Sequence, residues 1–169
     1  SAAVHVKSVL QVDGTLHTGT SALDADGLVG VGGTLDLGSG THMFGGSVTI
    51  NGGLSGNGLV IFDGVGTSTI TNPGGSNLPS TQITAGAGTV VFSGTSISIG
   101  GTLSLTSGTL SIAGGNTTSV SSTATFSGGT LSGGGSLDLN GNVTFSGTTS
   151  STPPQILASG NWTASSANF

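Results

Sequence analysis

The chain has no cysteine and no arginine, and Lys7 is its one basic residue in a sequence of 169. Without cysteine, neither a disulfide framework nor a thiolate metal site can form. A single cation cannot neutralise the phosphates of a nucleic acid or the surface of an anionic membrane, so neither is expected as a partner. The chain also lacks an apolar run of about 18 residues, which excludes insertion into a membrane as a helix.

Charge of either sign is scarce, since charged residues make up 4% of the chain against about 25% in ordinary globular proteins. Weak surface repulsion leaves self-association poorly opposed. The composition is nevertheless not that of a disordered chain, because mean hydropathy is positive at +0.31 and disorder goes with low hydrophobicity and high net charge. An ordered all-β protein is therefore expected.

Short segments alternate between apolar residues and Ser, Thr or Asp, as in 47–50, 96–99, 109–112 and 142–145. This period of two predicts half-buried strands. Glycine pairs and Asn-Gly steps separate these segments and predict tight turns. No segment has a helical period of useful length, so we expect essentially no helix.

A glycine-bounded repeat recurs along the chain, in residues 33–37, 101–105 and 135–139. Large apolar residues also recur 18 to 20 positions apart, in the pairs Leu35 and Leu54, Phe44 and Phe62, Phe92 and Ile112, and Phe126 and Phe145. Self-similarity of this kind predicts stacked coils of about 18–21 residues, with these side chains in internal ladders. The predicted fold is a parallel β-solenoid, and a β-sandwich of short hairpins is the alternative.

We expect one solenoid domain over residues 1–169. Residues 1–12 are predicted to form an N-terminal strand that caps the first coil or pairs with a neighbouring molecule. Residues 13–149 form the coils, with an inserted loop at 71–80 marked by two prolines. Residues 150–169 form a final segment.

Residues 129–147, GTLSGGGSLDLNGNVTFSG, resemble the repeats of large exported bacterial β-solenoids. These include autotransporter passenger repeats and filamentous-haemagglutinin-like adhesins, and residues 160–163 resemble a phrase found between such repeats. The resemblance implies export, a cell-surface location and a role in adhesion, surface layers or fibres. It supplies no catalytic residues. The opening residues 1–3 are typical of a chain cleaved at a small-residue site, which agrees with export.

The titratable residues do not form a catalytic pattern, because arginine is absent and the aspartates are scattered. The chain is therefore expected not to be an enzyme and to hold no metal or cofactor. His5, His17 and His42 share no ligand spacing and are predicted to be surface residues. The acidic pair in residues 24–27 is predicted to be a structural turn.

Two further patterns concern the surface. Residues 67–71 and 123–125 resemble the Thr-x-Thr faces of ice-binding solenoids, but their irregular spacing favours an ordinary solvated strand face. Asn116, Asn142 and Asn161 begin Asn-x-Thr sequons, which are glycosylation acceptors in a host that glycosylates.

These observations predict a structural, self-assembling subunit of an extracellular filament or surface layer, adhesive or matrix-forming, whose partner is another copy of itself. Subunits would join by continuation of the β-ladder or by strand donation. The predicted interface consists of apolar residues near both ends of the chain: Val4, Val6, Leu10, Val12, Ile156, Trp162 and Phe169. The alternatives are a monomeric segment of a larger adhesin that binds glycans or a host protein, and an ice-binding solenoid.

Overall fold

The computed structural model describes residues 3–94, 96–152 and 154–165, and this part of the chain contains strands and turns but no helix. It therefore has no helix able to cross a membrane. The strands are β1 Val4–Val6, β2 Val9–Val12, β3 Thr15–His17, β4 Leu23–Ala25, β5 Leu28–Val31, β6 Thr34–Asp36, β7 Thr41–Phe44, β8 Val48–Ile50, β9 Gly53–Ser55, β10 Leu59–Phe62, β11 Thr67–Thr71, β12 Asn77–Leu78, β13 Ser80–Ser93, β14 Ser96–Ile99, β15 Leu103–Ile112, β16 Thr117–Val120, β17 Ala124–Phe126, β18 Thr130–Ser132, β19 Ser136–Leu139, β20 Val143–Phe145, β21 Thr149–Thr152, β22 Gln155–Ala158 and β23 Trp162–Ala164.

The strands stack in parallel to form a β-solenoid, as the sequence predicts, and the solenoid has about eight turns and three sides. Side one runs through β1, β4, β7, β10, the start of β13, the start of β15, β17, β20 and β23. Side two runs through β2, β5, β8, β11, the ends of β13 and β15, β18 and β21. Side three contains β3, β6 and β9, followed by β12, β14, β16, β19 and β22.

The observed register confirms the predicted internal ladders. Four pairs were expected from spacing alone, and all four are register partners in adjacent strands: Leu35 and Leu54, Phe44 and Phe62, Phe92 and Ile112, and Phe126 and Phe145. Inward positions alternate with outward ones along each strand, so one coil places its apolar residues directly above those of the next. The core is the column that these ladders enclose.

Coil length is 19 residues at both ends of the described chain and varies from 18 to 22 between them. Val4 pairs with Leu23, 23 − 4 = 19 positions on, and Val143 pairs with Trp162, again 162 − 143 = 19. In the middle, Thr67 pairs with Thr89, 89 − 67 = 22 positions on. The first and last coils therefore have matching lengths.

Aromatic residues concentrate in the core. Phe44, Phe62, Phe92, Phe126 and Phe145 are all buried. The rings of Phe126 and Phe145 stack with centroids 4.7 Å apart and an interplanar angle of 10°, which is close to the spacing of about 4.8 Å between strands. An offset ring stack at this spacing adds about 0.5–1.5 kcal/mol to the burial of the rings themselves.

The corner between sides two and three depends on glycine. A Cβ added at Gly33 would lie 2.0 Å from the carbonyl oxygen of Gly14, and one added at Gly52 would lie 1.9 Å from that of Gly33. Gly14, in the first coil, has no atom within 4 Å of such a Cβ. Close stacking of one coil on the next, rather than a positive φ, therefore requires glycine at Gly33 and Gly52.

Two predicted boundaries differ from the structure. Residues 4–12 form two strands, β1 and β2, on different sides of the solenoid, rather than one strand. The two-residue corner at Lys7 and Ser8 keeps the inward parity of Val6 and Leu10, so the corner leaves no break in the sequence alternation. Residues 71–80 contain β12, which pairs with β14 on side three, so this segment is part of a coil as well as a loop.

Candidate functional sites

The first coil presents the predicted N-terminal interface residues at the open end of the core. Val4, Val6, Leu10 and Val12 pair with residues whose side chains are buried, so they face inward: Leu23, Ala25, Val29 and Val31. No described coil stacks on their other side, yet Val12 is buried, Val6 and Leu10 are partly buried, and only Val4 of the four is exposed. Val4 is 54% exposed, although its partner Leu23 is 1% exposed.

The last described coil has a matching open end. Trp162 pairs with buried Val143, and its ring lies 5.5 Å from that of Phe145, yet it is 47% exposed. Ile156 pairs with buried Leu137 and packs against the core. The third residue predicted for this end, Phe169, lies outside the described residues. Within the described residues, the first and last coils therefore each have strand edges without a further neighbouring strand, together with inward apolar side chains.

The outward face of side two carries a column of five threonines. Thr67, Thr89, Thr109, Thr130 and Thr149 are successive register partners in five adjacent coils. The hydroxyls of Thr130 and Thr149 lie 3.2 Å apart. Coils of 19 to 22 residues make this column irregular in the sequence, whereas the strand spacing of about 4.8 Å makes it regular in space.

A shorter hydroxyl column lies on side one, in β15, β17, β20 and β23. It contains Ser104, Thr125, Thr144 and Thr163 as successive register partners. The surface of the later coils is therefore polar and uncharged over two sides, with Asp138 as the one charged residue after Asp63.

A cluster of His5, Asp24 and Asp26 lies on the outward face of side one in the first two coils. His5 and Asp24 are register partners, and His5 Nε2 lies 3.8 Å from Asp24 Oδ2 and 2.8 Å from Asp26 Oδ2. One ligand atom from each of the three residues lies within 4.8 Å of the others. His5 is exposed, as predicted, but coil stacking brings it next to two aspartates that lie 19 and 21 positions away in the sequence.

The interpretation of residues 24–27 as a turn is correct only in part, since Asp24 lies within β4 and the bend before β5 consists of Asp26 and Gly27. Asp63 follows β10 two coils further on. Burial, with the negative charges of Asp24 and Asp26, raises the pKa of Asp63. Asp24, Asp26 and Asp63, three of the six aspartates of the chain, therefore place their negative charges in one region of the surface.

A second histidine–aspartate contact joins the first two coils on side three. His17 Nδ1 lies 2.9 Å from Asp36 Oδ2. This hydrogen bond, with that from the Gly38 backbone N–H, lowers the pKa of Asp36. No second carboxylate joins this pair among the described residues, so it differs from the His5 cluster in having one acidic partner instead of two.

His42 is fully buried, which corrects its prediction as a surface residue. Its Nδ1 accepts a hydrogen bond from the Leu23 N–H at 3.2 Å, and its Nε2 donates to the Leu37 carbonyl oxygen at 2.7 Å. Both contacts are satisfied by the neutral tautomer with hydrogen on Nε2. Burial lowers the pKa of His42, against the opposing effect of the hydrogen bond to Leu37.

The three sequons fall in different environments. Asn116 is 1% exposed, and its Oδ1 accepts a hydrogen bond from the Thr118 hydroxyl, so a glycan cannot be accommodated there in the folded chain. The prediction is wrong for this residue because the spacing of a sequon carries no information on which face of a strand it occupies. Asn142 and Asn161 are exposed, and their glycosylation stays a prediction.

Comparison of the chain with family models, curated proteins and solved structures returned no match. The resemblance to exported adhesin repeats therefore rests on the repeat pattern of the sequence. What the structure establishes is a β-solenoid built from repeated coils.

Proposed function

We propose that this solenoid is a structural, self-assembling subunit of an extracellular filament or surface layer, joined head to tail by continuation of its three parallel sheets. The observation that carries the proposal is the exposure of inward apolar residues at both open ends, Val4 at 54% and Trp162 at 47%. Burying them against another coil removes apolar surface from water at about 25 cal/mol per Å².

A second copy of the chain fits these ends in length and charge. The first and last described coils both repeat every 19 residues, so the last coil of one copy matches the first coil of another. The later coils carry one charge in the 106 positions after Asp63, so electrostatic repulsion between subunits is weak. A head-to-tail contact of this kind does not close on itself and produces a filament.

Electron microscopy of matched variants tests the proposal. Val4→Asp and Trp162→Asp place a charge on inward residues at the two ends and should abolish fibres. Val9→Asp and Leu157→Asp are the controls, because these residues lie on the same coils and are equally exposed, at 57% and 48%, but face outward. The controls should still form fibres. Dispersed rods of the unmodified chain, as expected for a monomeric adhesin segment, would contradict the proposal.

A second candidate function, ice binding, is favoured by the five-threonine column on side two. The five hydroxyls repeat regularly over about 19 Å, although the irregular spacing of these threonines in the sequence had argued against an ordered array. Thermal hysteresis of the unmodified chain, lost in Thr109→Lys and kept in Thr41→Lys, would support it. Thr41 faces outward on side one and is not in the column. Absence of hysteresis in the unmodified chain would exclude it.

A further inference from the structure

The surface of the first two coils carries an arrangement of side chains that the assembly proposal does not use. His5 comes from β1, and Asp24 and Asp26 come from the neighbouring coil, at positions of the same outward parity. The backbone ladder fixes the separation of these positions. One imidazole nitrogen therefore faces two carboxylates, with ligand atoms within 4.8 Å of one another.

The arrangement at His5 has one more carboxylate than the histidine–aspartate pair at His17. At His17, one carboxylate is enough to give a 2.9 Å contact. At His5, Asp26 already supplies the equivalent contact at 2.8 Å, and Asp24 adds a second carboxylate oxygen 3.8 Å from the same nitrogen. Asp63 adds further negative charge nearby, and Lys7 forms no ion pair with any aspartate among the described residues.

We propose that His5, Asp24 and Asp26 bind a divalent transition-metal ion, with Zn²⁺ as the representative case. Imidazole nitrogen and carboxylate oxygen are both zinc ligands, and three protein ligands leave a position open for water or another ligand. The bound ion lies between the carboxylates and offsets their mutual repulsion. It also ties β1 to β4, because its ligands come from both strands.

Calorimetric titration with zinc chloride tests the site, using the histidine–aspartate pair of side three as the matched control. The unmodified chain should bind one equivalent. Affinity should fall at least about tenfold in His5→Gln and in Asp24→Asn, and stay unchanged in His17→Gln. His5 and His17 are both exposed and both contact an aspartate of the next coil, but His5 alone lies near a second carboxylate.

Nuclear magnetic resonance gives a readout that does not depend on heat. In the Trp162→Asp variant, which should be a monomer and keeps the three ligands, zinc should shift the ring resonances of His5 and slow amide exchange in β1, while the resonances of His17 and of the coils after residue 63 stay unchanged. No binding by the unmodified chain, or equal losses in His5→Gln and His17→Gln, would overturn the proposal. Either result leaves the assembly proposal standing, since Val4 and Trp162 take no part in the site.

Discussion

The coils up to residue 63 and the coils after it share one backbone ladder but differ in what their side chains do between coils. The first region holds five of the six aspartates, all three histidines and the one lysine. There, charged or titratable groups join adjacent coils, as His17 joins Asp36. In the second region the corresponding contacts are made by hydroxyls, as between Thr130 and Thr149.

Both regions share the parallel ladder and the buried apolar column, although their outward side chains differ. Phe62 in the first region and Phe126 in the second are equally buried. The outward positions are therefore free to carry local chemistry. We expect changes to the shared backbone to affect the fold most, changes to the core less, and changes to titratable groups least.

The largest effect is expected from breaking the stacking that both regions share. Gly52→Ala places a Cβ 1.9 Å from the backbone oxygen of Gly33 in the preceding coil. Neither coil can relieve this clash without breaking hydrogen bonds of the ladder. We expect a loss of about 4–5 kcal/mol or more in the free energy of unfolding, measured by urea denaturation. Gly14→Ala, with no atom within 4 Å, should stay within about 1 kcal/mol of the unmodified chain.

The core of the second region is the next target. Phe126→Ala removes one ring of the 4.7 Å stack with Phe145 and should cost about 3–5 kcal/mol. Because a coil contacts only its neighbours, amide exchange should accelerate mainly in β15, β17 and β20. Thr125→Ala, outward on the same strand, should change stability by less than about 0.5 kcal/mol. Uniform acceleration along the whole chain would contradict the local account.

The titratable groups of the first region predict a smaller, pH-dependent effect. The folded-state pKa of His42 lies below its usual value of 6.5, so the unfolded chain binds more protons there. The stability from neutral His42 should be fully present above about pH 6.5 and lost as the pH falls through the folded-state value.

Replacing His42 tests whether this residue causes the pH dependence of stability. In His42→Gln, the stability measured from pH 7.5 to 5 should depend less on pH than in the unmodified chain, and the overall loss should be about 1–3 kcal/mol because two buried backbone contacts are disturbed. An unchanged slope in His42→Gln would show that another group is responsible.

The fold could be predicted from the sequence because the apolar residues recur at intervals close to the coil length, even though each coil contains several corners. The spacing of Leu35 from Leu54 and of Phe126 from Phe145 is the coil length itself. Of the predicted interface residues, Val4 and Trp162 are exposed at the first and last described coils, Val12 is buried, and Phe169 lies outside the described residues. Their assembly stays a prediction.

The candidate site at His5 could not be found along the chain. Asp24 and Asp26 lie 19 and 21 positions after His5 in the sequence. Residues at these separations can be recognised as neighbours only when the coil length and the side of the solenoid that each strand occupies are known. The burial of His42 was missed for a related reason. In Thr41–Phe44, His42 occupies the inward parity with Phe44, and its partners are backbone groups of Leu23 and Leu37, which have no signature in the sequence.

Mixing two end variants tests the central claim most directly. Val4→Asp keeps the last coil intact, and Trp162→Asp keeps the first coil intact. Head-to-tail assembly therefore predicts that each variant alone is a monomer of 16.0 kDa, whereas an equimolar mixture sediments as a one-to-one dimer of about twice that mass. A mixture that stays monomeric in analytical ultracentrifugation, or variants that form fibres alone, would contradict assembly through the open ends of the solenoid.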